Sequence, residues 1–205
     1  MTPPAPDGAP PAPDGVVELD PCASDHGSVP AHEQVRAALT TPGLRTLLLV
    51  VDGSSASWSD EAVVAVADAS VPVVAVLHGR VEGRAAAVAL ASDLRVASRD
   101  VVLRVEPLVG GTSASLPRLV GGAVARRMLL DPADLDGVQA MSLGLLDAVV
   151  DDAATAAREL AARVAARPGQ GAAVLRALAT WERTGDVASA LADEARLRAV
   201  VDLHD

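Results

Sequence analysis

Two glycines and an alanine block mark the first place in this chain where chemistry could occur. Val71–Leu77 is a continuous apolar run with Pro72 at its second position. A short β-branched run of this kind reads as a strand buried on both faces. Gly79 and Gly83 follow, and Ala85–Ala91 has high helix propensity. A helix that starts directly after a glycine turn directs free backbone N–H groups at whatever lies there. That arrangement suits a developing negative charge. Other chemistries fit less well. His78, Ser92 and Asp93 form no hydrolase set, because no G-x-S-x-G elbow occurs, and a hydrogen-bonded turn histidine is the simpler role for His78. His26 and His32, six apart in a loop, lack metal-ligand spacing, so no metal site is expected. Gly79-x-x-x-Gly83 lacks the third glycine of a dinucleotide loop, and Asp93 is too near to be its ribose acid.

The elements that must hold this unit alternate strand and helix. Val16–Leu19 reads as a short strand, Ala31–Leu39 as a helix with Ser28 as a candidate cap, and Leu44–Val51 as a second buried strand. Asp60–Ala69 has helical character, and Leu94–Ala97 and Val101–Val105 read as strands. Leu108–Ser115 is a glycine- and serine-rich loop. Pro117 is expected in the first turn of a helix that runs to about Leu130. Asp131–Asp136 is expected as a turn in which Asp134 or Asp136 caps a short helix ending at Gly144, and Leu145–Val150 as a last strand. Ala153–Ala166, Ala173–Arg183 and Val187–Val201 read as helices. The alternation predicts an α/β fold with largely parallel pairing. The purely helical end predicts a cap or an oligomerisation arm.

At 205 residues the chain suits one domain with a real core. We divide it into a Pro/Ala/Gly-rich tail over 1–15, expected to be disordered, a core over 16–150, and a helical C-terminal region over 151–205 of the same domain. Half of the residues are hydrophobic, yet there is no Phe or Tyr and there are only two Trp, so Ala, Val and Leu must build the core. The net charge is −10, and every basic residue is Arg. An acidic chain without a basic cluster argues against nucleic acid and anionic membrane. The single Cys22 excludes an internal disulfide and a Cys-based zinc site. With no leader pattern and no apolar run of membrane-spanning length, a cytoplasmic protein is expected.

Four segments, in order, resemble the crotonase superfamily of enoyl-CoA hydratases and isomerases. L-R-T-L-L-L-V-V-D-G resembles the strand before the family's first oxyanion loop. V-P-V-V-A-V-L-H-G-R-V-E-G resembles its K-P-x-I-A-A-V-x-G-x-x-x-G-G-G element. Leu116–Gly121, L-P-R-L-V-G, resembles the helix start after its glycine-rich loop, and Ala140–Val150 resembles its A-x-x-x-G-L-V-D-x-V-V segment. The resemblance covers roughly Val16 to Val164. It implies a crotonase-like (ClpP/crotonase) spiral of β-sheet turns with flanking helices, an acyl-CoA thioester as substrate, no separate cofactor, and a homotrimer or hexamer.

The resemblance also assigns roles. The thioester carbonyl would sit between two backbone N–H groups, which stabilise an enolate. Arg84 N–H matches the second donor, in Gly83-Arg84-Ala85, and Ser59 the first, in Ser57-Trp58-Ser59-Asp60. Trp58 stands for the loop's aromatic, and Gly83, Gly110 and Gly111 would line the substrate. Where a hydratase has its first glutamate this chain has Ala87. Glu106 opens E-P-L-V-G, which matches the family's second, so Glu106 is the expected acid/base. Its other reading is a strand-end carboxylate paired with Arg104 or Arg118. Glu82 is a reserve candidate that could instead pair with Arg80 or Arg84. Arg126 and Arg127 could meet a CoA phosphate or form a solvated helix face. One glutamate suits proton shuttling better than two-carboxylate water addition. The other function the sequence allows is an accessory, non-catalytic subunit of this fold.

Overall fold

The computed structural model describes residues 15–21, 29–53, 58–167 and 169–201. The expectations placed on the tail over 1–14, on Cys22, His26 and Ser28, and on Ser57 lie outside the described residues. Five parallel strands form the main sheet, β1 (Val16–Leu19), β2 (Thr46–Asp52), β3 (Val73–His78), β5 (Leu94–Ser98) and β8 (Ala148–Val150), in that spatial order. β4 (Arg80–Val81) belongs instead to a small sheet with β6 (Val102–Arg104) and β7 (Asp134–Asp136), in which β4 pairs parallel and β7 antiparallel to β6. The predicted parallel α/β architecture is thus present.

Burial on both faces explains why these strands read as continuous apolar runs. Leu47, Leu49, Val73, Ala75 and Leu77 point to one face. There they meet α1 (Ala31–Leu39), α2 (Asp60–Ala67) and α3 (Gly83–Ala91). Leu48, Val74, Val76 and Val96 point to the other, against α7 (Ala153–Ala165). Helix α7 offers Ala153, Ala157, Ala161 and Ala165, one every four residues, so a single smooth stripe lies on the sheet. Arg158 donates to both oxygens of Glu18 at 2.8 Å and ties that helix to the edge strand β1.

Several boundaries differ from the sequence reading. The helix expected from Pro117 to Leu130 is two helices, α4 (Thr112–Val120) and α5 (Gly122–Leu130), split at Gly121. Helix α4 begins five residues earlier than expected, so Pro117 lies inside it. The early start is set by Thr112 and Ala114, whose N–H groups bond back to Val109 and Gly111 carbonyls. The expected turn Asp131–Asp136 contains strand β7, because Asp134 pairs across to Arg104 and Arg80 of β6 and β4. Asp136 caps α6 (Gly137–Ser142) through a reciprocal pair of bonds with Gln139, as its position suggested. The last strand is limited to Ala148–Val150; Leu145 and Leu146 are buried loop residues. Helix α8 (Gln170–Thr184) starts three residues before the predicted Ala173, and α9 covers Val187–Val201. Among the described residues no helix is long and apolar enough to cross a membrane.

Candidate active site

The central unit positions its backbone donors through local rules. Gly83 has φ +58, a left-handed conformation that a side chain would strain, and α3 starts at this turn. No side chain caps α3, and the N–H groups of Arg84 and Ala85 have no hydrogen-bond partner among the described residues. They are the unspent donors that a helix start leaves. Arg84 does not lie over them. Its Nε donates to Asp60 Oδ1 at 2.9 Å, in an ion pair whose two side chains are both more than half exposed. Such a pair contributes only about 0.2–1 kcal/mol. Its geometric effect matters more, since it draws the first turns of α2 and α3 together. Ser59, the residue before Asp60, is the N-cap position of α2. The two helix starts that carry the expected oxyanion donors are therefore neighbours.

Glu106 lies at the same place. Its Oε2 is 3.8 Å from where a Cβ on Gly83 would stand, so the carboxylate faces the start of α3. The alternative in which Glu106 is paired fails: Arg104 binds Asp134 at 3.1 Å and Arg118 binds Glu182 on α8. Glu106 makes no ion pair among the described residues. Glu82, the reserve candidate, accepts from Arg80 Nε at 2.7 Å. Arg80 also holds Asp134, and with Arg104 it keeps the Asp134 carboxyl below the usual carboxylate range.

Thr112 anchors the main chain behind this carboxylate, and sequence reasoning passed over it. It is 0% exposed, and its hydroxyl donates to the Glu106 carbonyl oxygen at 2.8 Å. Only its place at the end of the glycine-rich loop pointed to it. Thr112→Val keeps the volume and removes this bond, and we expect a stability loss of about 1–2 kcal/mol in urea unfolding, with Thr112→Ser recovering most of it.

Ala87, which stands where a second glutamate was expected, is 1% exposed. A Cβ on Gly110 would lie 2.4 Å from the Ala87 Cβ. The loop backbone therefore occupies the space that a longer side chain at 87 would need. Gly110 packs on the helix, whereas Gly111 is exposed at the start of α4. Trp58 is a core residue, 6% exposed, and its indole N–H has no partner among the described residues. His78 closes β3 rather than sitting in a turn, opposite Asp52 in the register. Ser92 donates to the Val88 carbonyl at 3.1 Å and Asp93 accepts from the Val73 N–H at 2.8 Å, so both support backbone. Arg126 and Arg127 are exposed on α5. Among the described residues no group of three His, Cys, Asp or Glu could hold a metal ion.

A parallel sheet covered by helices on both faces, with a small side sheet, is the arrangement of the crotonase fold. Solved structures agree. An enoyl-CoA hydratase from Bacillus anthracis superposes with TM-score 0.80 at 18% identity, over 96% of this chain and 90% of that one. A monofunctional enoyl-CoA isomerase from M. smegmatis gives TM-score 0.74 at 24% identity, over 87% and 94%. In sequence, a protein named probable enoyl-CoA hydratase from Mycobacterium tuberculosis is 37% identical over 132 residues, 61% of this chain and 50% of the relative. One of the same name from Mycobacterium avium is 30% identical over 154 residues, 71% of this chain and 60% of the relative. The chain thus spans about half the length of the curated relatives it matches. No protein-family model matches it. The chain has the fold of these enoyl-CoA hydratase and isomerase structures, and its sequence is similar to part of the proteins named probable enoyl-CoA hydratase.

Proposed function

We propose that this chain is an enoyl-CoA hydratase/isomerase-type enzyme that moves a proton on an acyl-CoA thioester, with Glu106 as the acid/base. The observation that carries the reading is the Glu106 carboxylate, which makes no ion pair among the described residues and faces the start of α3 beside Gly83. The thioester oxygen would accept from Arg84 N–H, with Ser59 N–H as the second donor. Negative charge that develops on that oxygen is stabilised by donors already fixed in the backbone, a contribution of several kcal/mol in such sites. Glu106 takes a proton from a carbon next to the carbonyl, giving an enolate. It then returns the proton to a second carbon of the conjugated system. Atoms and charge balance without a cofactor; coenzyme A enters as part of the substrate.

The contact between Gly110 and Ala87 supports single-carboxylate isomerisation over hydration. Water addition would need a second carboxylate, and 87 has no room for one. The same contact is what favours the second reading, an accessory subunit that keeps the fold without turnover. We place the protein in the cytoplasm as a homotrimer or hexamer. The test offers the purified chain 3-enoyl-CoA and 2-enoyl-CoA thioesters. Migration of the 3-enoyl double bond, with little hydration of the 2-enoyl form, is the expected result. Absence of both reactions together with acyl-CoA binding would favour the accessory role, and absence of binding at millimolar ligand would overturn the acyl-CoA reading.

A further inference from the structure

We propose that Asp60 is a positioning residue: it holds the Arg84 guanidinium away from Glu106 and so keeps the space between Glu106 and α3 open. That this space receives a thioester rests on the acyl-CoA reading above. Arg84 carries a long cation on the same residue whose N–H is the expected donor. A cation in the first turn of a helix is disfavoured by the helix dipole, so Arg84 needs a carboxylate partner. In the structure its Nε donates to Asp60 Oδ1 at 2.9 Å, on the first turn of α2. Both side chains are more than half exposed, so a change of partner requires no buried group to move.

A second partner lies within reach. Glu106 Oε2 is 3.8 Å from where a Cβ on Gly83 would stand, and Gly83 is the residue before Arg84. One Cα step separates the two residues, so the carboxylate lies within about 10 Å of the Arg84 Cα. An extended arginine side chain with its hydrogen bond covers that span. The other acids around the two helix starts have cations of their own. Glu82 accepts from Arg80 Nε at 2.7 Å. Glu61, beside Asp60 on α2, lies near His32 and Arg36 of α1. Glu106 makes no ion pair among the described residues, so it is the carboxylate that a released Arg84 meets. The guanidinium would then lie across Gly83, over the N–H groups at the start of α3 and in the place the thioester carbonyl takes. Pairing with Glu106 and binding of substrate exclude each other, and Asp60 decides which of them Arg84 permits.

Steady-state kinetics on a 3-enoyl-CoA tests this with Asp60→Asn, Asp60→Glu and the double variant Asp60→Asn/Arg84→Met. Asp60→Asn should raise KM about two- to sixfold with kcat within about twofold, because the guanidinium sits on Glu106 part of the time. Asp60→Glu keeps a carboxylate for Arg84 and should retain most of the wild-type KM. The double variant should bring KM back toward wild type, since no cation is left to hold off. If the ion pair only spaced the two donors, kcat would fall instead, and removing Arg84 would not restore it. Thermal unfolding reads the same contact without substrate. Glu106→Gln should lower the unfolding temperature of the Asp60→Asn chain by about 1–3 °C and leave that of wild type nearly unchanged. An unchanged KM in Asp60→Asn overturns the proposal. So does a double variant as impaired as the single one, or an equal effect of Glu106→Gln in both backgrounds. If wild type neither turns over nor binds the thioester, the acyl-CoA reading itself fails, and the unfolding comparison still decides whether Asp60 holds Arg84 off Glu106.

Discussion

Replacing Glu106 with Gln should lower turnover of an enoyl-CoA substrate by about 10²- to 10⁴-fold while KM changes little. The amide has nearly the shape of the carboxylate but cannot take a proton. The structure makes this a clean substitution. Thr112 holds residue 106 through its carbonyl oxygen, not its side chain. The carboxylate makes no ion pair among the described residues, since Arg104 and Arg118 are engaged by Asp134 and Glu182. Stability should therefore stay within about 0.5 kcal/mol of wild type. Steady-state kinetics with a thermal unfolding curve checks both halves. Turnover within a few-fold of wild type would remove Glu106 from the mechanism. Glu82 would not inherit the role by default, because it is bound to Arg80.

The largest effect on stability is expected at Gly110. Its φ is +52, and an added Cβ would stand 2.4 Å from the Ala87 Cβ. Gly110→Ala thus combines two costs. The left-handed backbone contributes about 1–2 kcal/mol. Overpacking against a helix that is itself buried on the sheet adds about 1–3 kcal/mol, because the neighbour is a methyl group next to backbone and cannot swing away. The sum, about 2–5 kcal/mol, is a large fraction of a domain's stability. Pairing it with Ala87→Gly should recover much of the packing cost and none of the backbone cost. Denaturant unfolding of the two single variants and the double variant separates them. If the single variant unfolds like wild type, the loop does not press on α3, and the argument that residue 87 lacks room for a second carboxylate goes with it.

Local rules account for what could be read in the chain. The apolar run before His78, the glycine turn and the alanine block need only nearest-neighbour preferences and burial period, and they appear as β3, the turn and α3. The Gln139 partner of Asp136 is three residues away, so that cap was equally legible. Strand β7 was not, because a three-residue strand of alternating acid and leucine acquires its identity from Arg80 and Arg104 on other strands. The break at Gly121 was missed because Pro117 looked like a helix start, whereas Thr112 begins the helix by bonding back to its own loop.

The same division runs through the site. Residue type and spacing point to the strand–glycine–helix unit with its free N–H groups, to the family resemblance, and to Glu106 as a candidate acid/base. Those follow from residue type and spacing within one segment. Long-range contacts settle which carboxylates are engaged, that the Arg84 side chain leaves its N–H open by turning to Asp60, and that Trp58 belongs to the core. They also settle that the Gly110 backbone packs beside Ala87. Each of these depends on distances between residues far apart in the chain, or on how a loop is seated against a helix, and no local pattern encodes that.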